Sequence, residues 1–297
     1  MKSNDIFNIR RFGRYFATDF RSGAANYGLS LLTLTLLTPV ALYVLSYVFS
    51  FITGNGLNGP GMGLRAAVFG ISMFCLVITM PVKCYGRLTE KQYGSFWLTL
   101  PASRLEKVVS MLILTCITAP LLGVASYLCL DALICALDST CGGSLAYGLS
   151  QLLRGMGDLN GALADLEFNL PDAGITIEDG TERMFRQLSS PWLYIDEIFC
   201  ITLPFLLGAI CFRNGKTVKT FIAIAVFSTA VSIITTPIVL GYIGNIFNDG
   251  MSDIEAAEMF LNSGLIRNLS VIDMISDTVM NLALITGIWF RIKTLKH

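Results

Sequence analysis

Apolar and polar positions fall in long alternating blocks along this chain. Six windows are apolar enough for helical membrane spans: 28–53, 64–84, 107–136, 191–212, 219–246 and 270–290. A spanning helix needs about 20 residues to cross a hydrocarbon core of about 30 Å. The third window exceeds that length and is expected to tilt or to project beyond the lipid. Pro39, Pro81, Pro120, Pro204 and Pro237 lie inside the windows. Transmembrane helices tolerate proline because neighbouring groups re-satisfy the freed carbonyls. The pattern predicts an all-α polytopic membrane protein with six transmembrane helices, forming one transmembrane domain over 1–297.

Four polar stretches outside the windows carry further pattern. Before the first window, Ile6, Ile9, Phe12, Phe16 and Phe20 recur at three- and four-residue steps, with Arg10, Arg14 and Arg21 elsewhere on the wheel. This predicts an N-terminal interfacial amphipathic helix over 1–26, its apolar face in acyl chains and its Arg on headgroups. Gly13 and the run Gly23, Ala24, Ala25 are expected to separate it from the first span. That first apolar run is too long for a signal-peptide core of about 7–15 residues. The extracytoplasmic loop 138–190 reads as a Gly-rich cap with short helices near 145–153 and 159–168. The loop 247–269 reads as holding one short helix at 253–261.

The segment 87–106 is the fourth stretch. Thr89 and Gln92 form a T-x-x-Q capping pair that would open a short helix. Tyr93, Trp97 and Leu100 then share one helical face, at i, i+4 and i+7. Pro101 ends the helix, and Ser103 with Glu106 forms a second box at the mouth of the third window. A short helix with exposed aromatics and interspersed charge suits either a protein dock or a belt of rings resting on headgroups.

Charge sets the orientation. Of the 21 Lys and Arg residues, 16 fall in the N-terminal segment, the second-to-third connection, the fourth-to-fifth connection and the tail. Only Arg65, Arg154, Arg183, Arg186 and Arg267 fall on the other side, which also carries most acids. The positive-inside rule then places both termini in the cytoplasm. Only 14% of residues are charged and 54% are hydrophobic, whereas a soluble domain carries about 25% charged residues. A net charge of zero gives no case for nucleic acid.

Candidate chemistry is sparse. The single histidine is His297, so His-based triads and HExxH metal sites are excluded. No G-x-S-x-G and no CxxC occurs, and seven of the eight cysteines lie in or beside apolar runs. No catalytic, cofactor-binding or metal site is expected. The phrase Asn214-Gly215-Lys216-Thr217 fails as a P-loop, because position 210 is Ile210 and a membrane helix precedes it. Acids within spans are functional candidates by default. Asp131 lies about 9 Å inside the outer end of the third span, and Ser270, Asp273, Asp277 and Asn281 mark one face of the sixth. Asp131, Asp277 and Asn281 are the candidate substrate path, with helix pairing or solvation at the outer interface as the plainer alternative. Asp196 and Glu197 read as acids at a helix N-terminus, and the Tyr and Trp near helix ends as an aromatic belt.

The stretch "FWLTLPASRLEKVVS" resembles the signature region of six-span ABC-2-type permease subunits, in a branch with an L-P-A-S-x-x-E-K phrase before the third span. Here the phrase is Leu100, Pro101, Ala102, Ser103, Arg104, Leu105, Glu106 and Lys107. The stretch "GAICFRNGKTVKT" is a weaker second echo. The resemblance covers the layout but only about 20 residues by motif. It implies that 89–107 is the coupling element to a separate ABC-type ATPase chain. Thr89, Tyr93, Trp97, Leu100, Pro101, Ser103, Glu106 and Lys107 are the coupling residues. It also implies a homodimer or heterodimer of permeases in a bacterial inner membrane, most simply an exporter. Two alternatives stand beside it: an ion- or proton-coupled secondary carrier using Asp131 and Asp277, and a non-transporting membrane scaffold.

Overall fold

The computed structural model describes residues 7–54, 59–138, 140, 143–148, 191–247 and 264–294. Among them, every regular element is helical. In chain order these are α1 (Ile9–Leu32), a π-helical stretch (Thr33–Leu37), α2 (Thr38–Ile52), α3 (Met62–Tyr85), a 3-10 turn (Gly86–Thr89) and α4 (Lys91–Thr99). There follow α5 (Arg104–Leu112), a second π stretch (Ile113–Thr118), α6 (Ala119–Leu137), α7 (Pro191–Cys211), α8 (Lys216–Phe247) and α9 (Gly264–Thr294). Expectations for 149–190, for 248–263 and for Cys141 fall outside the described residues.

Four helical runs are long and apolar enough to cross a membrane: Ile9–Ile52, Met62–Thr89, Arg104–Leu137 and Lys216–Pro237. They match the first, second, third and fifth windows. The fourth and sixth windows coincide with α7 and α9. Many large apolar side chains face outward, among them Leu45, Phe49 and Phe51 on α2 and Val226, Ile233 and Ile234 on α8. Water would penalise so much contiguous apolar surface, and lipid does not. The chain is a helical, multi-pass membrane protein.

The chain divides into two compact units. The first comprises Met1–Ser150, Ile198–Thr220 and Ala283–His297; the second comprises Gln151–Glu197 and Phe221–Leu282. In the first unit, α1–α2 and α5–α6 run parallel, with α3 antiparallel between them. Asp19 meets Ser110 and Tyr85 near one end, while Tyr43, Arg65 and Asp131 meet near the other. The core between them holds Leu76, Met80, Leu88, Trp97, Met111 and Leu114, joined by Leu203, Leu206 and Ile288. At Gly123 the α3 and α6 backbones come close: a Cβ there would stand 2.7 Å from Leu76 Cδ1.

Two expectations fail here. The break between the N-terminal helix and the first span is absent, since α1 runs unbroken through Gly13 and Gly23. No proline interrupts it, and Gly23 lies against Leu114, whose Cδ2 a Cβ there would meet at 3.7 Å. The continuous run of 44 residues is about 66 Å long at 1.5 Å per residue. That is twice the hydrocarbon thickness, so the run must tilt or project beyond the lipid. The T-x-x-Q cap is also absent. Thr89 Oγ1 donates to the Gly86 carbonyl at 3.0 Å, and Glu90 is the N-cap residue of α4.

Candidate functional site

The four basic segments gather at one end of the first unit. Lys216 Nζ donates to the Gly86 carbonyl. Arg104 Nη1 donates to the Lys293 carbonyl at 3.0 Å, and Arg291 Nε to the Ile210 carbonyl at 3.2 Å. The segment 87–106 lies at this basic end.

Its turn is built as expected. Leu100 is extended, with ψ 138°, the conformation that a following proline imposes, and α4 stops at Thr99. Ser103 caps α5 through a complete capping box. Its Oγ accepts the Glu106 N–H at 3.2 Å, and its own N–H donates to Glu106 Oε2 at 2.9 Å.

Glu106 does more than close that box. It is fully buried and accepts the Asn8 backbone N–H at 2.8 Å. Arg11 donates to it from Nε at 2.8 Å and from Nη2 at 2.9 Å. Asn8 is itself the N-cap of α1, its side chain accepting from Arg10 N and Arg11 N. One carboxylate therefore ties the start of α5 to the start of α1. Asp19 repeats the tie two turns further along, accepting from Tyr85 OH at 2.8 Å and Ser110 Oγ at 2.7 Å.

Lys107 reaches the other way, since consecutive helical residues point about 100° apart. It is 2% exposed. Its Nζ donates to the Trp97 carbonyl at 2.8 Å and stands 4.9 Å from the centre of the Trp97 ring. The Trp97 carbonyl is one of the last four of α4, which no intrahelical donor satisfies. Lys107 thus caps the C-terminus of α4, with a cation–π contact added. The dipeptide Glu106–Lys107 joins α1, α4 and α5 at one point.

The stripe Tyr93, Trp97, Leu100 is where the sequence expectation of exposed aromatics needs correction. Trp97 is 4% exposed and part of the core, and Leu100 packs partly buried against it. The side chain of Tyr93 is outside the described residues. The apolar face of α4 turns toward the core, as an amphipathic helix packed on a protein does. The outward apolar group is Phe96, 63% exposed, flanked by exposed Ser95 and Thr99.

Asp131, at the opposite end, is 1% exposed and paired with Arg65 at 3.2 Å. Tyr43 OH donates to its Oδ1 at 2.9 Å, and Leu145 N–H to its Oδ2 at 2.7 Å. Arg65 also donates to Tyr43 OH at 2.8 Å, to Cys135 Sγ at 2.6 Å and to the Gly143 carbonyl. This charge is compensated and fastens the beginning of the 138–190 loop. Sequence reasoning left Arg65 as an unassigned outer charge. Its signal was an Arg and an Asp near the same end of adjacent antiparallel windows.

In the second unit, Asn281 Nδ2 donates to Asp196 Oδ1 at 2.6 Å. Asn281 is 6% exposed, and its Oδ1 has no hydrogen-bond partner. Asp277 lies one turn away, half-buried; the side chains of Ser270 and Asp273 are outside the described residues. Among the described residues, no cluster of three His, Cys, Asp or Glu is placed to hold a metal ion.

Comparison of the chain with protein-family models, curated proteins and solved structures finds no match.

Proposed function

We propose that this chain is the membrane-spanning permease subunit of an ATP-driven, ABC-type transporter, coupled to a separate ATPase chain. The observation that carries the reading is the Glu106–Lys107 junction. A short helix at the basic end is fastened by Lys107 to the third long helix, and Glu106 fastens that helix to the first, through charge-assisted hydrogen bonds. A push on α4 therefore passes into both. Such stiffness is what a force-transmitting element needs, and the L-P-A-S-x-x-E-K phrase supplies it.

In this reading the basic end is cytoplasmic, as the positive-inside rule requires, and the six windows are six spans of a bacterial inner-membrane protein. The subunit works as a homodimer or heterodimer with two ATPase chains and exports its substrate between protomers. It has no nucleotide site of its own. The docking face is the outward side of α4, with Phe96 as its apolar anchor. Thr89, Pro101, Ser103, Glu106, Lys107 and the inward Trp97 and Leu100 hold that helix in place. Buried aromatic anchors are what interface energetics favour.

The carrier reading rests on a different observation, the orphan Asn281 oxygen beside Asp196. The carboxylates of this reading are Asp277 and Asp131, and Asp131 is already engaged by Arg65, Tyr43 and Leu145. Purification of the tagged chain from native membranes in mild detergent tests the two readings. The permease reading expects an ATP-binding-cassette ATPase in the eluate with measurable ATP hydrolysis. The carrier reading expects the chain alone.

A further inference from the structure

The parallel helices α1–α2 and α5–α6 keep one register over most of their length. Asp19 bonds Ser110, Thr35 bonds Ser126, and Tyr47 bonds Asp138, each pair 91 residues apart in sequence. Each helix also contains one π-helical stretch, Thr33–Leu37 in the first and Ile113–Thr118 in the second. A π stretch holds one residue more than the α-helix it interrupts. One extra residue in a single helix would advance everything beyond it by about 1.5 Å and 100°. Asp138 could not then meet Tyr47 in the same register as Ser110 meets Asp19. With one extra residue in each helix, the register is restored past both.

The two stretches are staggered along the pair. At the 91-residue register, the first lies beside positions 124–128 and the second beside 22–27, which contain Ala125 and Ser126, and Gly23, Ala24 and Ala25. Ser126 faces the first bulge at Thr35, and Gly23 faces the second at Leu114. Each stretch is followed within two residues by a proline, Pro39 or Pro120, which lacks the N–H that would continue the α ladder. Threonine hydroxyls serve the carbonyls instead: Thr35 to Leu31 at 2.9 Å, Thr38 to Leu34, Thr115 to Met111 at 2.7 Å and Thr118 to Ile113 at 3.0 Å. The ion pairs among the described residues lie outside this zone. Arg11–Glu106 is before it and Arg65–Asp131 beyond it.

We propose that the two π stretches are a matched hinge. They let the junction at the basic end turn against the Arg65–Asp131 end while both ends of the helix pair stay in register. The extra residue can migrate along each helix with hydroxyls replacing the broken ladder bonds, so neither polar cluster has to open. This inference does not depend on what drives the motion.

Deletions test the matching. Removing Leu36 alone, or Ile117 alone, is expected to lower the melting temperature of the purified chain by about 5 °C or more. Removing both is expected to restore most of the loss, because the register returns. A double deletion no more stable than the worse single deletion overturns the matching. Hydrogen exchange on the unaltered chain in lipid nanodiscs tests the hinge without relying on a variant. Amides of 33–37 and 113–118 are expected to exchange at least tenfold faster than those one turn to either side. Protection equal to the flanking turns overturns the hinge.

Discussion

Glu106 accepts the backbone N–H of Asn8 at 2.8 Å across 98 residues of sequence, while Arg11 holds the same carboxylate. The start of the first long helix is therefore fixed by a residue of the third. A buried acid that serves two helix N-termini at once is costly to neutralise, because each donor it abandons is left unsatisfied.

The first prediction follows from that arrangement. Glu106→Gln keeps the shape and loses the charge, and is expected to destabilise the chain by about 2 kcal/mol. Limited proteolysis in membranes is expected to cut near residues 8–14 faster in the variant. An unchanged cleavage rate would mean that α1 is held by its apolar face alone.

Trp97 and Phe96 separate packing from docking. Trp97→Ala removes a core ring and the cover over Lys107, and is expected to cost about 3–5 kcal/mol. Phe96→Ala empties no core site and is expected to leave stability within about 0.5 kcal/mol. In mild-detergent purification, Phe96→Ala is expected to lose the partner ATPase while melting like the wild type. If only Trp97→Ala loses the partner, and Phe96→Ala keeps it, the outward face of α4 is not the dock.

Arg65 and Asp131 are expected to behave as a pair. Asp131→Asn leaves a buried guanidinium without its counter-charge, costing about 3–5 kcal/mol. Arg65→Met with Asp131→Leu removes both charges and is expected to recover at least half of that loss. A double variant as unstable as the single would show that the bonds to Tyr43, Gly143 and Leu145 matter more than the charge balance.

Gly123→Leu tests the contact between α3 and α6. Even a Cβ there crowds Leu76, so a full side chain must push α3 and α6 apart, at a cost of about 1–3 kcal/mol or more. A thermal melt indistinguishable from wild type would show that the two helices can separate freely at that level.

What the sequence disclosed was mostly local. Ser103 and Glu106 are three residues apart, so the capping box was readable without knowing the fold. The apolar windows and the clustering of Lys and Arg were readable for the same reason, since lipid and charge act on each segment separately. The partners of Glu106 and Asp131 were not readable, because Arg11 and Arg65 are 95 and 66 residues away. Trp97 and Leu100 were correctly seen as sharing a face. Periodicity does not say whether such a face meets a partner or the chain's own core, and at Trp97 it meets the core. Gly23 and its neighbours looked like a break because glycine lowers helix propensity. Packing against Leu114 outweighs that.

In the proposed assembly a motor protein grips the outward face of α4 from the cytoplasm. A photo-crosslinking amino acid in place of Phe96, activated in intact cells, tests it most directly. The prediction is a covalent adduct with an ATP-binding-cassette ATPase that increases when nucleotide turnover is trapped. An adduct only with lipid, or labelling of position 96 by membrane-impermeant reagents from outside the cell, would contradict it.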